Sequence, residues 1–385
     1  MSRGLVGLAL GLALVSPSPE REVANARDVG PASSSLAPGT AALLPRSSAS
    51  QSGDARSDDE PARLAFLKGL DYLAAQQRAH QDGSFPRAGG AQHAPVALAA
   101  LGALAFMAEG STPGRGRYGR EVSAAVDYLL ARADGNATTA RGYIAVSLED
   151  KWGMHAHGYA LLALCNAFTL APTSDRGGRI AALLPDAVAV IERSQTSEGG
   201  WFYFPSAGLE HENSVTVVEL QALRAARNCG ITVDSKVVAR AIDYIRRCQD
   251  ENGSFRYALD PTSKTSLALT AAGLATLQNA GRYDGPEVER AVREMWVELM
   301  ERGRGAERDD SGFPHYERLY VALALWTHSD RRMFERWFES ERTLVLKEQR
   351  PDGSWPDAQF GACLATAMNC LFLSIDDGLL PLFER

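Results

Sequence analysis

The chain has 385 residues, 45% of them hydrophobic, and a formal net charge of −7. That length and apolar content support one large core or two ordinary ones. Lys and Arg are dispersed, with no basic stripe interleaved with aromatics, which excludes a duplex-wide nucleic-acid surface and leaves no nucleic-acid partner expected.

The first element is MSRGLVGLALGLALVSPSPEREVANA. Arg3 precedes an apolar run over residues 5–15, which has signal-peptide length and is too short to cross a bilayer. Ala24-Asn25-Ala26 offers a small-x-small cleavage site. Residues 1–26 are therefore expected to be a signal peptide, with export to the periplasm or the medium. No later stretch is apolar enough for a membrane span. Residues 27–60 are rich in Ser, Ala, Pro and Gly without periodicity and read as a disordered linker, with Asp58-Asp59-Glu60 as a solvated charge run within it.

From 61 to 385 the pattern is helical and punctuated. GLDYLAAQQ, AAVDYLLARA, AVAVIERSQ, RAIDYIRRCQ, EMWVELME and RTLVLKEQ each repeat apolar residues three and four apart and predict amphipathic outer helices. Between them, VALAALGALAFMAEG, HGYALLALCNAF, SVTVVELQALRAARNCG, SLALTAAGLATLQNAG, RLYVALALWTH and ACLATAMNCLFLSI predict inner helices with small side chains that permit close approach. Gly110, Gly230 and Gly281 close three of these. The outer phrases recur roughly every 50–60 residues, enough for two helices and two connections. Hairpins that bend one way can close and cover the faces an open solenoid must cap. The expected fold is all-α, one (α/α)6 toroid of six helical hairpins over 61–385, with an open superhelix as the alternative. The five cysteines, Cys165, Cys229, Cys248, Cys363 and Cys370, include no C-x-x-C and read mainly as buried thiols.

One turn recurs. QRPDGSW (349–355) has copies in QTSEGGW (195–201) and QDENGSF (249–255), and a longer one in QRAHQDGSF (77–85). Gln77/Phe85, Gln195/Trp201, Gln249/Phe255 and Gln349/Trp355 thus form a structural repeat, degenerate in the second and fifth hairpins. The Gln amide is expected to donate to open carbonyls at its own helix end, the Gly to supply the turn angle and the aromatic to cover the hairpin end. That is a staple, not a site.

This repeat resembles the QW-type repeat of the squalene cyclase and protein prenyltransferase β-subunit superfamily, across the whole predicted domain. MHAHGYALLALC, GGWFYFPSAGLEHENSVTVVELQAL and the ending LLPLFER are similar to exported bacterial prenyltransferase/squalene-oxidase-repeat proteins. The resemblance implies the toroid and a central cavity. Its known chemistries lack their signatures: no D-x-D-D for a class II terpenoid cyclase, no D-x-C for a zinc prenyltransferase and no G-C-G-E-Q thioester run. Asp309-Asp310 reads as a displaced repeat turn and Asp376-Asp377 as a terminal turn. The inner helices offer few cavity aromatics, among them Tyr159, Phe106, Phe168, Tyr320, Trp326 and Phe372.

His93, His155, His157, His211 and His315 all fall where the chain enters an inner helix, with Lys264 and Asp357 in the corresponding stretches of other repeats. In a closed ring these positions line one mouth, joined by Tyr159, Glu212 and Tyr316, near positive helix ends. The rim reads as merely solvated, as a mouth for a ligand with an acidic or polar head group, or as a metal site at His155-x-His157 and His211. H-x-H alone is a weak signal, so no metal and no cofactor is assigned. The leading expectation is an exported toroid binding an isoprenoid, lipid or other small molecule, or a protein partner. The alternative is an enzyme, either an isoprenoid cyclase or transferase or a six-hairpin carbohydrate-active enzyme, for which Glu212 and Asp357 are the nameable carboxylates.

Overall fold

The computed structural model of the protein describes residues 59–303 and 313–377. The signal-peptide reading, nearly all of the linker reading, Asp309-Asp310 and the LLPLFER ending lie outside the described residues. The outer helices are α1 (Asp59–His80), α3 (Gly119–Gly135), α5 (Asp175–Ser194), α7 (Ser235–Arg247), α9 (Pro286–Gly303) and α11 (Arg331–Glu348). The inner helices are α2 (Pro95–Ala108), α4 (Gly153–Leu170), α6 (Asn213–Asn228), α8 (Leu267–Asn279), α10 (Pro314–Thr327) and α12 (Ala362–Leu373). Helix α1 starts at Asp59, two residues inside the stretch read as linker. Among the described residues there is no β-strand, and no helix is long and apolar enough to cross a membrane.

The inner helices form a closed ring, each packing on the next and α12 on α2. In α2 every residue from Val96 to Ala108 is buried, as befits a helix apolar all round. Each outer helix packs chiefly on the inner helix that precedes it, so α3 lies on α2, and α1 lies on α12 at the other end of the chain. The seam of the toroid is therefore offset by one helix from the hairpins seen in the sequence.

The repeat turn makes this arrangement rigid, by a route that differs from the expectation. The Gln amide does not bond its own helix end. Gln349 Nε2 donates to Gly353 O at 3.0 Å and to Ala65 O of α1 at 2.8 Å. Gln195 reaches Gly199 O and Val237 O of α7, and Gln249 reaches Gly253 O and Glu287 O of α9. Gln77 reaches Gly83 O and Glu121 O of α3. Each Gln thus ties its turn to the start of the next outer helix. The turn Gly is required twice over. Gly353 has φ +90°, and a Cβ there would stand 2.4 Å from Lys68 O. Phe85, Trp201, Phe255 and Trp355 are fully buried. The indoles of Trp201 and Trp355 donate to Ile191 O and Val345 O, both at 2.7 Å. The backbone N–H groups of Trp201, Phe255 and Trp355 donate to Thr216, Thr270 and Thr366 near the starts of their inner helices.

The second hairpin keeps only part of this device. Gly142 (φ +85°) presses on Asp186 of α5 and Ile144, two residues on, is fully buried, whereas Asn136 Nδ2 donates to Arg132 O at its own helix end and to Tyr143 O and Ala145 O of its own turn.

Candidate functional site

The N-terminal ends of the inner helices are where the sequence placed a rim. The loops that lead there fold over a neighbouring helix. The Tyr203 carbonyl accepts from Met154 N–H of α4, and the Tyr257 carbonyl accepts from Asn213 N–H of α6. Each loop thereby brings an aromatic ring inward. Phe313 lies 6.1 Å from Phe360, Phe360 lies 5.3 Å from Trp152, and Trp152 lies 6.2 Å from Tyr203, centroid to centroid. Tyr257 is close enough to Tyr203 and Tyr316 to help raise both phenol pKa values, after burial, the main cause. Trp152, Tyr203, Tyr257, Phe313, Tyr316 and Phe360 are all half-buried.

Polar groups converge beside this aromatic wall. Glu212 caps α6, accepting from Val215 N–H at 3.2 Å, and accepts from the Ser214 hydroxyl. Ser214 Oγ lies 3.0 Å from His155 Nε2. The hydroxyl proton goes to Glu212, so His155 completes the chain by donating from Nε2, leaving Nδ1 a bare acceptor. That Nδ1 and Glu212 Oε1 are buried without a hydrogen-bond partner. Tyr203 stacks on the His155 ring at 5.6 Å and Trp152 meets its edge. Burial pushes the Glu212 carboxyl up to about 7, and burial pushes His155 down to about 4. Near neutral pH the site therefore holds a neutral imidazole and a carboxyl group poised between acid and base. Deeper in, Tyr159 bonds to Tyr320, Tyr316 packs on Tyr320 at 4.4 Å, and Tyr320 Oη donates to Gln221 Oε1 at 3.0 Å.

Of the residues singled out from sequence, His155, Tyr159, Glu212 and Tyr316 meet here. The others go elsewhere. His157 is fully buried on the opposite side of α4, accepting from Ile144 N–H at 3.1 Å and donating to Ala187 O at 3.0 Å. It does for Ile144 what Thr216, Thr270 and Thr366 do in the other repeats. Two residues along a helix are rotated about 200°, so His155 and His157 cannot share a ligand. His211 bonds Tyr244 of outer helix α7 at 2.9 Å. His315 donates to Pro356 O at 3.1 Å and belongs to a buried cluster in which Arg318 bridges Glu341 and Asn369. Asp357 folds its own turn, Oδ1 accepting from Gln359, Phe360 and Gly361. His93 and Lys264 are exposed, His93 resting 3.4 Å from Phe85 O. Among the described residues no three His, Cys, Asp or Glu side chains converge as metal ligands would.

Sequence reasoning missed Ser214 and the aromatic loops. The signal for Tyr203 and Tyr257 was there. Each stands two residues after a repeat aromatic, Trp201 or Phe255.

The fold has solved counterparts. The type II terpene cyclase MstE from Scytonema in its apo form is 16% identical with a TM-score of 0.53, over 84% of this chain and 99% of that one. An alpha-1,6-mannanase from Salegentibacter is 9% identical with a TM-score of 0.57, over 83% and 99%. A protein from Actinoplanes is 16% identical with a TM-score of 0.52, over 81% and 99%. No protein-family model and no curated protein sequence matches the chain. At these identities the likeness establishes the α/α toroid and nothing finer.

Proposed function

We propose that this protein binds a small, largely apolar and unsaturated molecule in the aromatic mouth, with one polar group of the ligand meeting Glu212 and His155. The observation that carries this reading is the unpartnered Glu212 Oε1 beside half-buried aromatic rings. Aromatic faces suit alkenes and cationic centres, and a buried polar atom without a partner favours a ligand that supplies one. An isoprenoid or other lipid fits these terms. A structural neighbour supports a small-molecule ligand in such a ring, since a variant of MstE is known in complex with its substrate, geranylgeranyl dihydroxybenzoate.

A second reading follows from one further observation. Glu212, raised to about 7 and with Oε1 free of protein partners, has the make-up of a proton donor. Protonation of a bound alkene by Glu212, with the carbocation then losing a proton from another carbon back to the Glu212 carboxylate, would make the protein an enzyme. The carbohydrate reading has less support. It needs a second carboxylate, and Asp357 is committed to its turn. Export by residues 1–26 belongs to the same proposal.

Native mass spectrometry of protein from its own host tests the binding reading. Wild type should retain an apolar ligand, and Tyr203→Ala should lose it. A ligand kept by Tyr203→Ala, or a bound oligosaccharide, would overturn the reading. Loss of turnover in Glu212→Gln with the ligand still bound would move the protein to the enzyme reading.

A further inference from the structure

The far end of the ring, where the inner helices finish, holds a recess of about 330 Å³ between α6, α7 and α8. That volume is at the lower end of small-molecule sites. Leu220, Val238, Ile242 and Ala280 give it an aliphatic wall, and Gln221, Arg224, Arg227 and Asn279 give it donors; no acidic side chain lines it. Arg224 is half-buried and donates to Asn279 Oδ1 at 2.7 Å. Among the described residues no carboxylate pairs with it. In this acidic chain, by contrast, buried Arg318 is paired with Glu341, and Arg302 with Glu298 and Glu317.

The floor of the recess carries an independent sign. Gln221 is 5% exposed, its carbonyl oxygen is taken by Tyr320, and its Nε2 has no partner. The adjoining cleft is lined by the same Gln221 and Arg224, together with Asn166 and Cys229. An unsatisfied buried amide next to an unpaired guanidinium, in a recess without acids, is the lining that an anion satisfies.

We propose that this recess binds a small amphipathic anion, a carboxylate or phosphate whose head contacts Arg224 and Gln221 and whose aliphatic part lies on Leu220, Val238 and Ile242. The site is separate from the aromatic mouth, and Tyr159, Tyr316 and Tyr320 stand between them. Its ligand is a free metabolite-like anion or the head of a lipid, two sources with the same recognition chemistry.

Calorimetry with decanoate, decanol and inorganic phosphate on the intact chain tests this. Decanoate should bind saturably and decanol should not. Phosphate alone should compete with decanoate if the head dominates, and fail to compete if the aliphatic part is needed, as for a lipid. Arg224→Gln should weaken decanoate about tenfold or more, and Gln221→Leu by a smaller factor. Cys229 alkylation locates the event, because decanoate should slow it in wild type and not in Arg224→Gln. Equal affinity for decanol, no saturable binding of either anion, or unchanged affinity in folded Arg224→Gln would each overturn the proposal.

Discussion

The two ends of the ring are built from different material. At the turn end, irregular loops carry the staples, the aromatic mouth and Glu212. At the other end the inner helices finish, and the recess is made from helix faces, the second half of α6 with Gln221 and Arg224, the end of α8 and the first half of α7. A chemistry grown on loops can change without disturbing the barrel, whereas side chains on a helix face are fixed by ring packing. The same α6 serves both ends. Ser214 and Gln221, seven residues and about 10 Å apart, lie on one stripe of it.

That contrast can be broken by substitution, beginning where the structure has most to lose. Trp355→Ala removes a fully buried indole at the seam and should cost about 3–5 kcal/mol by urea unfolding. A loss below about 1 kcal/mol would mean the turn is not a staple.

Acid should act next. Burial holds His157 down to about 4, so it must stay neutral to fold. A folded pKa below the unfolded value gives stability that is full above about 6.5 and is lost as pH falls toward 4, a loss of about 3 kcal/mol. His157→Thr retains a hydroxyl acceptor for Ile144 N–H without a titrating ring. Its stability should fall less steeply over that interval, and an unchanged acid limb would assign the loss to other groups.

Glu212 titrates with the opposite sign. Its folded pKa is raised to about 7, so its stabilising contribution is intact below about 4.5 and is lost as pH rises through 7. Glu212→Gln should therefore be the more stable protein at pH 8 by about 1–2 kcal/mol, with no gain at pH 4. Thermal melts at the two pH values decide it. Arg224→Gln at the far end should cost no more than about 1.5 kcal/mol, since it removes one hydrogen bond to Asn279 and no carboxylate pair. A larger loss would make Arg224 a structural residue.

Much of the frame was legible because helical periodicity and the Gln–Gly–aromatic spacing are local. Each outer phrase and each inner phrase became a helix. The acceptor of the Gln amide was not legible, because Val237, Glu287 and Ala65 belong to the next outer helix and no local pattern names them. The second turn was hidden by a change of residue type, since Ile144 stands where the other repeats have Trp or Phe and Asn136 bonds only its own helix end and turn. The rim was half legible. Helix starts were located, but each residue turns a side chain about 100°, and the two steps from His155 to His157 carry the second ring from the mouth to the wall. The aromatics were sought on inner helices, while the ring is built largely by the loops before them.

Gln349 and Ala65 are joined across 284 residues of sequence. A growing chain on the ribosome therefore exposes the inward face of α1 until α12 has been made. Closure of the ring must wait for α12 and involves a very long loop, an entropic cost that comes before its contacts can repay it. During that interval the unclosed helices present a sticky apolar edge, the kind of surface that chaperones hold and aggregates grow from.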